Sequence, residues 1–192
     1  MDLLQKAANQ KEGLSGTRTG FDALDKITSG WQNSDLIIIA ARPAMGKTAF
    51  VLSMAKNMAV NHNVPVALFS LEMSNVQLVN RLIVNVCEIP GEKIKSGRLE
   101  SYEWEQLDFK IKELYDAPIY VDDTPSLSVF ELRTKARRLV REHGVRCIII
   151  DYLQLMNASG MSFGSREQEV STISRSLKGL AKELNIPIIA LS

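Results

Sequence analysis

Cysteine is scarce in this chain: among 192 residues only Cys87 and Cys147 occur. Both sit in apolar company, within IVNVCEI and RCIII, which predicts buried free thiols and excludes a disulfide framework. Net charge is scarce as well, at +1, so composition offers no argument for a polyanionic partner and any basic surface has to be local. No apolar run approaches the roughly 18–20 residues of a membrane span. The opening MDLLQKAANQKEG lacks the basic start and apolar core of a signal peptide. There is no internal repeat and no low-complexity segment. These absences leave a soluble, cytoplasmic globular domain with no membrane association as the expectation. The 45% hydrophobic and 23% charged content suits a substantial core.

Short apolar runs alternate with stretches of helical periodicity. Strands are expected over Leu36–Ala40, Val66–Ser70, Ile119–Val121, Cys147–Ile150 and Ile188–Leu191. Helices are expected over Thr48–Val60, about Asn75–Val86, Tyr102–Leu114, Ser128 to about Glu142, and about Glu167–Leu184. Ser74 with Gln77, and Ser128 with Glu131, have the form of capping boxes. Val170, Ile173, Leu177, Leu180 and Leu184 recur three and four residues apart, so one face of the last helix is buried. Pro90 and Gly91 read as a break, Asp122–Pro125 as a turn, and Asn157–Ser165 as a mobile loop rich in glycine and serine. Strands without polar alternation, separated by helices, predict an α/β fold: a mostly parallel sheet flanked by helices on both faces. Ligands of such folds bind beyond the carboxyl ends of the strands.

Three strand ends carry chemistry. The first opens into Ala41-Arg-Pro-Ala-Met-Gly-Lys-Thr48, close to the phosphate-loop template G-x-x-x-x-G-K-[ST]. Ala41 replaces the first glycine, which a compact residue with negative φ can do. Pro43 has no N–H, so the anion cradle is expected from the amides of about Ala44 to Thr48, where a helix begins. Arg42, Ala44, Met45, Gly46, Lys47 and Thr48 are the candidate nucleotide-binding residues. Lys47 is expected to reach the β- and γ-phosphates and the Thr48 hydroxyl to ligate Mg²⁺. The strand ending at Asp151 has the form of the second nucleotide motif, with that carboxylate a second Mg²⁺ ligand. Many related ATPases place a glutamate directly after this aspartate; here Tyr152 follows and cannot orient a water. Glu72, just beyond the second strand in Phe69-Ser-Leu-Glu-Met73, is the candidate catalytic base, with Lys47 its partner in catalysis.

Taken together, TGFDALD at Thr19–Asp25, ARPAMGKT, FSLEM, IIIDYLQLM at Ile148–Met156 and the closing SRSLKGLAKELNIPIIALS resemble the DnaB family of bacterial replicative helicases. The resemblance implies a RecA-like P-loop NTPase fold using ATP and Mg²⁺, a homohexameric ring, and 5′→3′ movement along single-stranded DNA. It also implies primase and a helicase loader as partners of the intact protein. It makes residues 1–12 the end of an inter-domain linker helix and 13–192 the ATPase domain. On that pattern the domain lacks the family's C-terminal strands, its γ-phosphate sensor and its arginine finger. A poor ATPase with no unwinding of its own, and an exposed sheet edge prone to association, are the corresponding expectations. The loop Asn157–Ser165 would face the channel, with Arg166 a candidate phosphate contact.

Two basic features need weighing. Arg133, Lys135, Arg137, Arg138 and Arg141 scatter around the face opposite Leu132, Ala136, Leu139 and Val140, which predicts a solvated face rather than a DNA contact. Arg175, Lys178 and Lys182 form a stripe for which solvent exposure is the default. No aromatic platform for stacking bases is apparent, so any grip on DNA is expected to be on its backbone. The rival readings are a RecA- or KaiC-like ATPase that does not unwind, and a nucleotide-binding regulatory module without catalysis; Glu72 argues against the latter.

Overall fold

β-branched and apolar runs too short for helices, with no polar alternation, have to be covered on both sides. The computed structural model, which describes residues 14–157 and 165–192, shows that arrangement. The expected linker helix over 1–12 and most of the loop at 157–165 lie outside the described residues. Five strands, β1 (Leu36–Ile39), β2 (Val66–Ser70), β3 (Ile119–Asp122), β4 (Cys147–Asp151) and β5 (Ile188–Leu191), form one parallel sheet in the order β1-β5-β4-β2-β3. Every residue of β2, β4 and β5 is buried, whereas β3 is half-buried and Ile38 of β1 is 46% exposed.

The period-two pleat divides the strand residues between two cores. Ala67, Phe69, Ile148, Ile150, Ile188 and Ala190 face α6 (Val129–His143) and α7 (Arg166–Leu184). Val66, Leu68, Cys147, Ile149, Ile189 and Leu191 face α2 (Lys47–Lys56) and α3 (Asn75–Cys87). The expected stripe on α7 is the one that packs: Ile173, Leu177 and Leu180 are buried, with Val170 and Leu184 beside them. Both capping boxes form, at Ser74–Gln77 and at Ser128–Glu131, and Gly144 closes α6 with φ +63°. Cys87 and Cys147 are buried and free, and burial pushes the Cys147 thiol up to about 12, so neither is a poised nucleophile.

Three helical features depart from the sequence reading. α2 gives way at Asn57 to a π-helical turn, Asn57–Asn61. The stretch after Pro90 is a helix, α4 (Gly91–Ser96), which precedes α5 (Ser101–Tyr115). The segment TGFDALD supplies a seven-residue helix, α1 (Asp22–Thr28). Its anchor is the buried Asp25 carboxylate, whose Oδ1 accepts the Thr19 N–H at 2.9 Å and whose Oδ2 accepts the Gly20 N–H at 3.3 Å. Gly20 has φ +78°, and a Cβ there would stand 2.3 Å from Cβ of Asn57, so only glycine fits between α1 and the π turn. Phe21 stacks on Phe50 of α2 at 5.0 Å. Asp25→Ala orphans two amides in this packed corner and is expected to lower stability by about 1.5–3 kcal/mol, read as a reduced urea midpoint. An unchanged midpoint would show that the carboxylate is dispensable there.

The basic side chains of α6 all have acidic partners. Arg133 and Arg137 reach Glu183 of α7, Lys135 reaches Asp122 at 2.6 Å, and Arg138 and Arg141 reach Glu142. The arginine nearest it, Arg137, does most to hold Glu183 below its ordinary range. Lys178, for which exposure was the default expectation, instead ties α7 to the turn before β1 through Ser34 O and Asp35 Oδ1, each at 2.8 Å. Among the described residues no helix is long and apolar enough to cross a membrane.

Candidate nucleotide site

The order β1-β5-β4-β2-β3 brings the carboxyl ends of β1, β4 and β2 to one rim, with β5 between β1 and β4. At that rim lies a cavity of about 530 Å³, lined by Pro43 to Ala49, by Glu72 and Met73, by Arg81 of α3, and by Asp151 and Tyr152.

The loop after β1 begins with the Ala41 N–H donating to Ser192 O at 3.2 Å. Ala41 keeps a negative φ; the left-handed residues of the loop are Ala44, φ +62°, and Gly46, φ +84°. Gly46 is the N-cap of α2, so the first amides of that helix open towards the cavity side of the loop without intrahelical partners. The Met45 N–H turns instead to the Arg42 carbonyl at 3.3 Å. Arg42 is exposed and does not line the cavity; preceding the rigid Pro43, it shapes the turn through its carbonyl. Lys47 Nζ lies between the carbonyls of Ala41 and Ser192, 2.8 Å from each.

Thr48 and Asp151, 103 residues apart in sequence, meet directly: Thr48 Oγ1 donates to Asp151 Oδ2 at 2.7 Å. Asp151 is buried, and that desolvation raises its carboxyl above the ordinary carboxylate range. The Thr48 hydrogen bond counters the rise, Glu72 adds to it, and Lys47 and Arg81 work against it. A hydroxyl and a carboxylate side by side are hard oxygen donors suited to Mg²⁺.

Glu72 stands at the mouth, on a turn closed by Ser70. The Ser70 hydroxyl donates to Met73 O at 2.9 Å and accepts the Met73 N–H at 3.1 Å, while the Leu71 N–H donates to Asp151 O at 2.8 Å. The glutamate's loop is thus braced against the end of β4. Lys47, Thr48, Glu72 and Asp151 therefore line one cavity. Arg81 joins them, a residue that sequence reasoning missed, since nothing in its local sequence separates it from a solvated charge on α3. Arg81, Ala49 and Met73 also line an adjoining groove of about 600 Å³ between α2, α3 and α4.

The family model for the DnaB-like helicase C-terminal domain matches residues 16–192. The chain belongs to that family. It is 50% identical over 191 residues to the replicative DNA helicase DnaB of Geobacillus stearothermophilus, covering all of this chain and 42% of that protein. It is 52% identical over 186 residues to the DnaB of a Nostoc species, covering 96% of this chain and 21% of the relative. A solved DnaB-like replicative helicase, described with its primase interactions, superposes with a TM-score of 0.91 at 38% identity, over all of this chain and 47% of that one. The chain thus spans less than half the length of these relatives. The likeness extends the resemblance read from ARPAMGKT, FSLEM and IIIDYLQLM over the length of this chain, whose fold is RecA-like.

Proposed function

We propose that this chain is the ATP-binding and ATP-hydrolysing motor domain of a replicative DNA helicase, which moves 5′→3′ on single-stranded DNA and unwinds the duplex ahead of it. The observation that carries the reading is the 2.7 Å hydrogen bond between Thr48 and Asp151 in a cavity that also holds Lys47 and Glu72. That is the donor set a magnesium triphosphate needs: amides at a helix start, an ammonium, a hydroxyl and an acid.

In this reading Ala44, Met45, Gly46, Lys47 and Thr48 cradle the phosphates, with Arg42 supporting the turn through its backbone. Lys47 leaves its two carbonyl partners for the β- and γ-phosphates. Thr48 and Asp151 hold Mg²⁺, whose charge draws electron density from the phosphate oxygens when it is bound. Glu72 orients the attacking water and accepts its proton. The intact protein works as a homohexameric ring, with single-stranded DNA in its channel and with primase and a loader as partners.

The test is strand displacement by the full-length protein on a duplex carrying a 5′ single-stranded tail. The expected result is ATP-dependent displacement from the 5′ tail, none from a 3′ tail, and none with Lys47→Ala. Hydrolysis without displacement from either tail would refute the helicase reading and leave a RecA- or KaiC-like ATPase.

A further inference from the structure

Gln154 occupies a junction that the nucleotide chemistry above does not use. It lies on the 3-10 turn Leu153–Leu155, three residues beyond Asp151. The turn is tight: the Leu155 N–H donates to Tyr152 O and the Met156 N–H to Leu153 O, each at 3.1 Å. Leu153 and Met156 are buried on either side of Gln154, so the turn is anchored at both ends.

From this position Gln154 faces two ways. Its carbonyl accepts a hydrogen bond from the guanidinium of Arg166, the first residue of α7, which also pairs with Glu169. Its side-chain Nε2 donates to Ser192 Oγ at 2.6 Å. Ser192 follows β5 and lies against the phosphate loop. Its N–H donates to Ile39 O at 3.0 Å, and its carbonyl accepts both the Ala41 N–H and Lys47 Nζ. Arg166 and Lys47 are thus linked through two residues, by the backbone carbonyl and side-chain amide of Gln154 and by the hydroxyl and backbone carbonyl of Ser192. Neither of the two linking residues is charged.

The side-chain amide oxygen of Gln154 is the second observation. Oε1 is buried with no hydrogen-bond partner, and it is the one side-chain atom among the described residues in that condition. Buried amide oxygens are rarely left unpaired, so this one calls for a physical account. Here the amide is held by one bond only, to a serine hydroxyl that can rotate. A reorientation of the Gln154 side chain therefore changes which bond the amide makes while Leu153 and Met156 stay in the core.

We propose that Gln154 is a positioning residue that couples Arg166 to Lys47. An anion of the phosphodiester type captured by Arg166 withdraws the guanidinium from the Gln154 carbonyl. The turn relaxes, the amide changes its hold on Ser192, and the carbonyl that shares Lys47 moves with the strand end. The inference rests on the helicase reading for the identity of the anion, and on the observed bonds for the route. Coupling of this kind is reciprocal, so bound nucleotide tightens or loosens the hold on DNA by the same factor.

The experiment measures the affinity of the full-length protein for a fluorescent non-hydrolysable ATP analogue with Mg²⁺, with and without an oligothymidylate. For the wild-type protein the two affinities are expected to differ by about 5–150-fold. In Gln154→Met, which keeps the volume and removes both bonding groups, that ratio is expected to fall to within about twofold of one, as small as an ordinary uncoupled pair. Ser192→Ala is expected to do the same, and the double variant to go no further than either single one, because both remove the same link. Arg166→Ala should abolish the ratio in the wild-type background and change nothing in Gln154→Met. A purely structural role for Gln154 would weaken both affinities together and leave the ratio unchanged, which overturns the proposal. Full coupling in Ser192→Ala overturns it too, and that variant decides the matter if Gln154→Met does not fold. A wild-type protein that binds the oligonucleotide with no ratio to lose would overturn the inference while leaving the nucleotide site standing. One that binds no oligonucleotide at all would instead refute the helicase reading.

Discussion

Glu72→Gln is expected to leave ATP binding in place and to slow hydrolysis by about 10²–10⁴, the span of a positioned general base. The substitution changes one atom at the mouth of the cavity. It touches neither the Ser70 hydrogen bonds that close the turn nor the Leu71 N–H that ties it to β4. The loop should therefore keep its shape. Affinity should hold within about threefold or improve, since a carboxylate facing a polyanion is removed. Single-turnover hydrolysis of pre-bound ATP separates the two effects. Wild-type hydrolysis in Glu72→Gln would take Glu72 out of the reaction, and a parallel loss of binding would make it a structural residue. Among the described residues no other acid lines the cavity to substitute: Tyr152 occupies the position after Asp151, and Asp151 is already hydrogen-bonded to Thr48.

Lys47→Ala should act on binding first. It deletes the ammonium at the centre of the phosphate loop, and charge-assisted hydrogen bonds of this kind contribute about 1.5–3 kcal/mol each. The affinity for ATP is expected to fall by about 10- to 150-fold, with turnover falling further because the same charge meets the γ-phosphate as the bond breaks. Folding should be little affected. Lys47 is only half-buried, and the strand ends remain joined by the Ala41 N–H to Ser192 O and the Ser192 N–H to Ile39 O. Equilibrium binding of the labelled analogue, beside a thermal unfolding curve, distinguishes a lost ligand contact from a lost fold. Unchanged affinity would mean that the loop does not hold the phosphates.

Much of the fold can be read from the residues because one physical signal dominates it. β2 and β5 occupy the expected residues, since both are flanked by other strands and every position is buried. β1 stops one residue early, at Ile39, where it lies at the edge of the sheet beside β5 alone and the chain already turns into the phosphate loop. The short helices were less legible for a related reason. α4 buries no residue and starts at Pro90-Gly91, a pair that reads as a break although proline suits a helix entrance. α1 depends on one carboxylate six residues from the amide it holds, a contact without periodicity.

The candidate site divides in the same way. Lys47, Thr48 and Asp151 sit in motifs whose spacing carries the chemistry, and Glu72 was reached by asking which acid remained. Arg81 and Gln154 gave no such signal. An arginine on a polar helix face looks like any solvated charge, and a glutamine after a strand looks like a turn residue. Only the fold, which puts Arg81 on the wall of the cavity and Gln154 beside the end of β5, gives them their places. The pairing of Lys178 with Asp35 was hidden for the same reason, with 143 residues between the two.

The central claim is that the ends of β1, β2 and β4 build one site for a magnesium triphosphate. A crystal structure with a non-hydrolysable ATP analogue and Mg²⁺ tests it most directly. The account predicts the triphosphate on the loop from Ala44 to Thr48, Lys47 turned from Ser192 O to the phosphates, the cation beside Thr48 and Asp151, and Glu72 facing the terminal phosphate. A nucleotide bound elsewhere, or one bound in this cavity with Lys47 still on its two carbonyls and no cation beside Asp151, would contradict it.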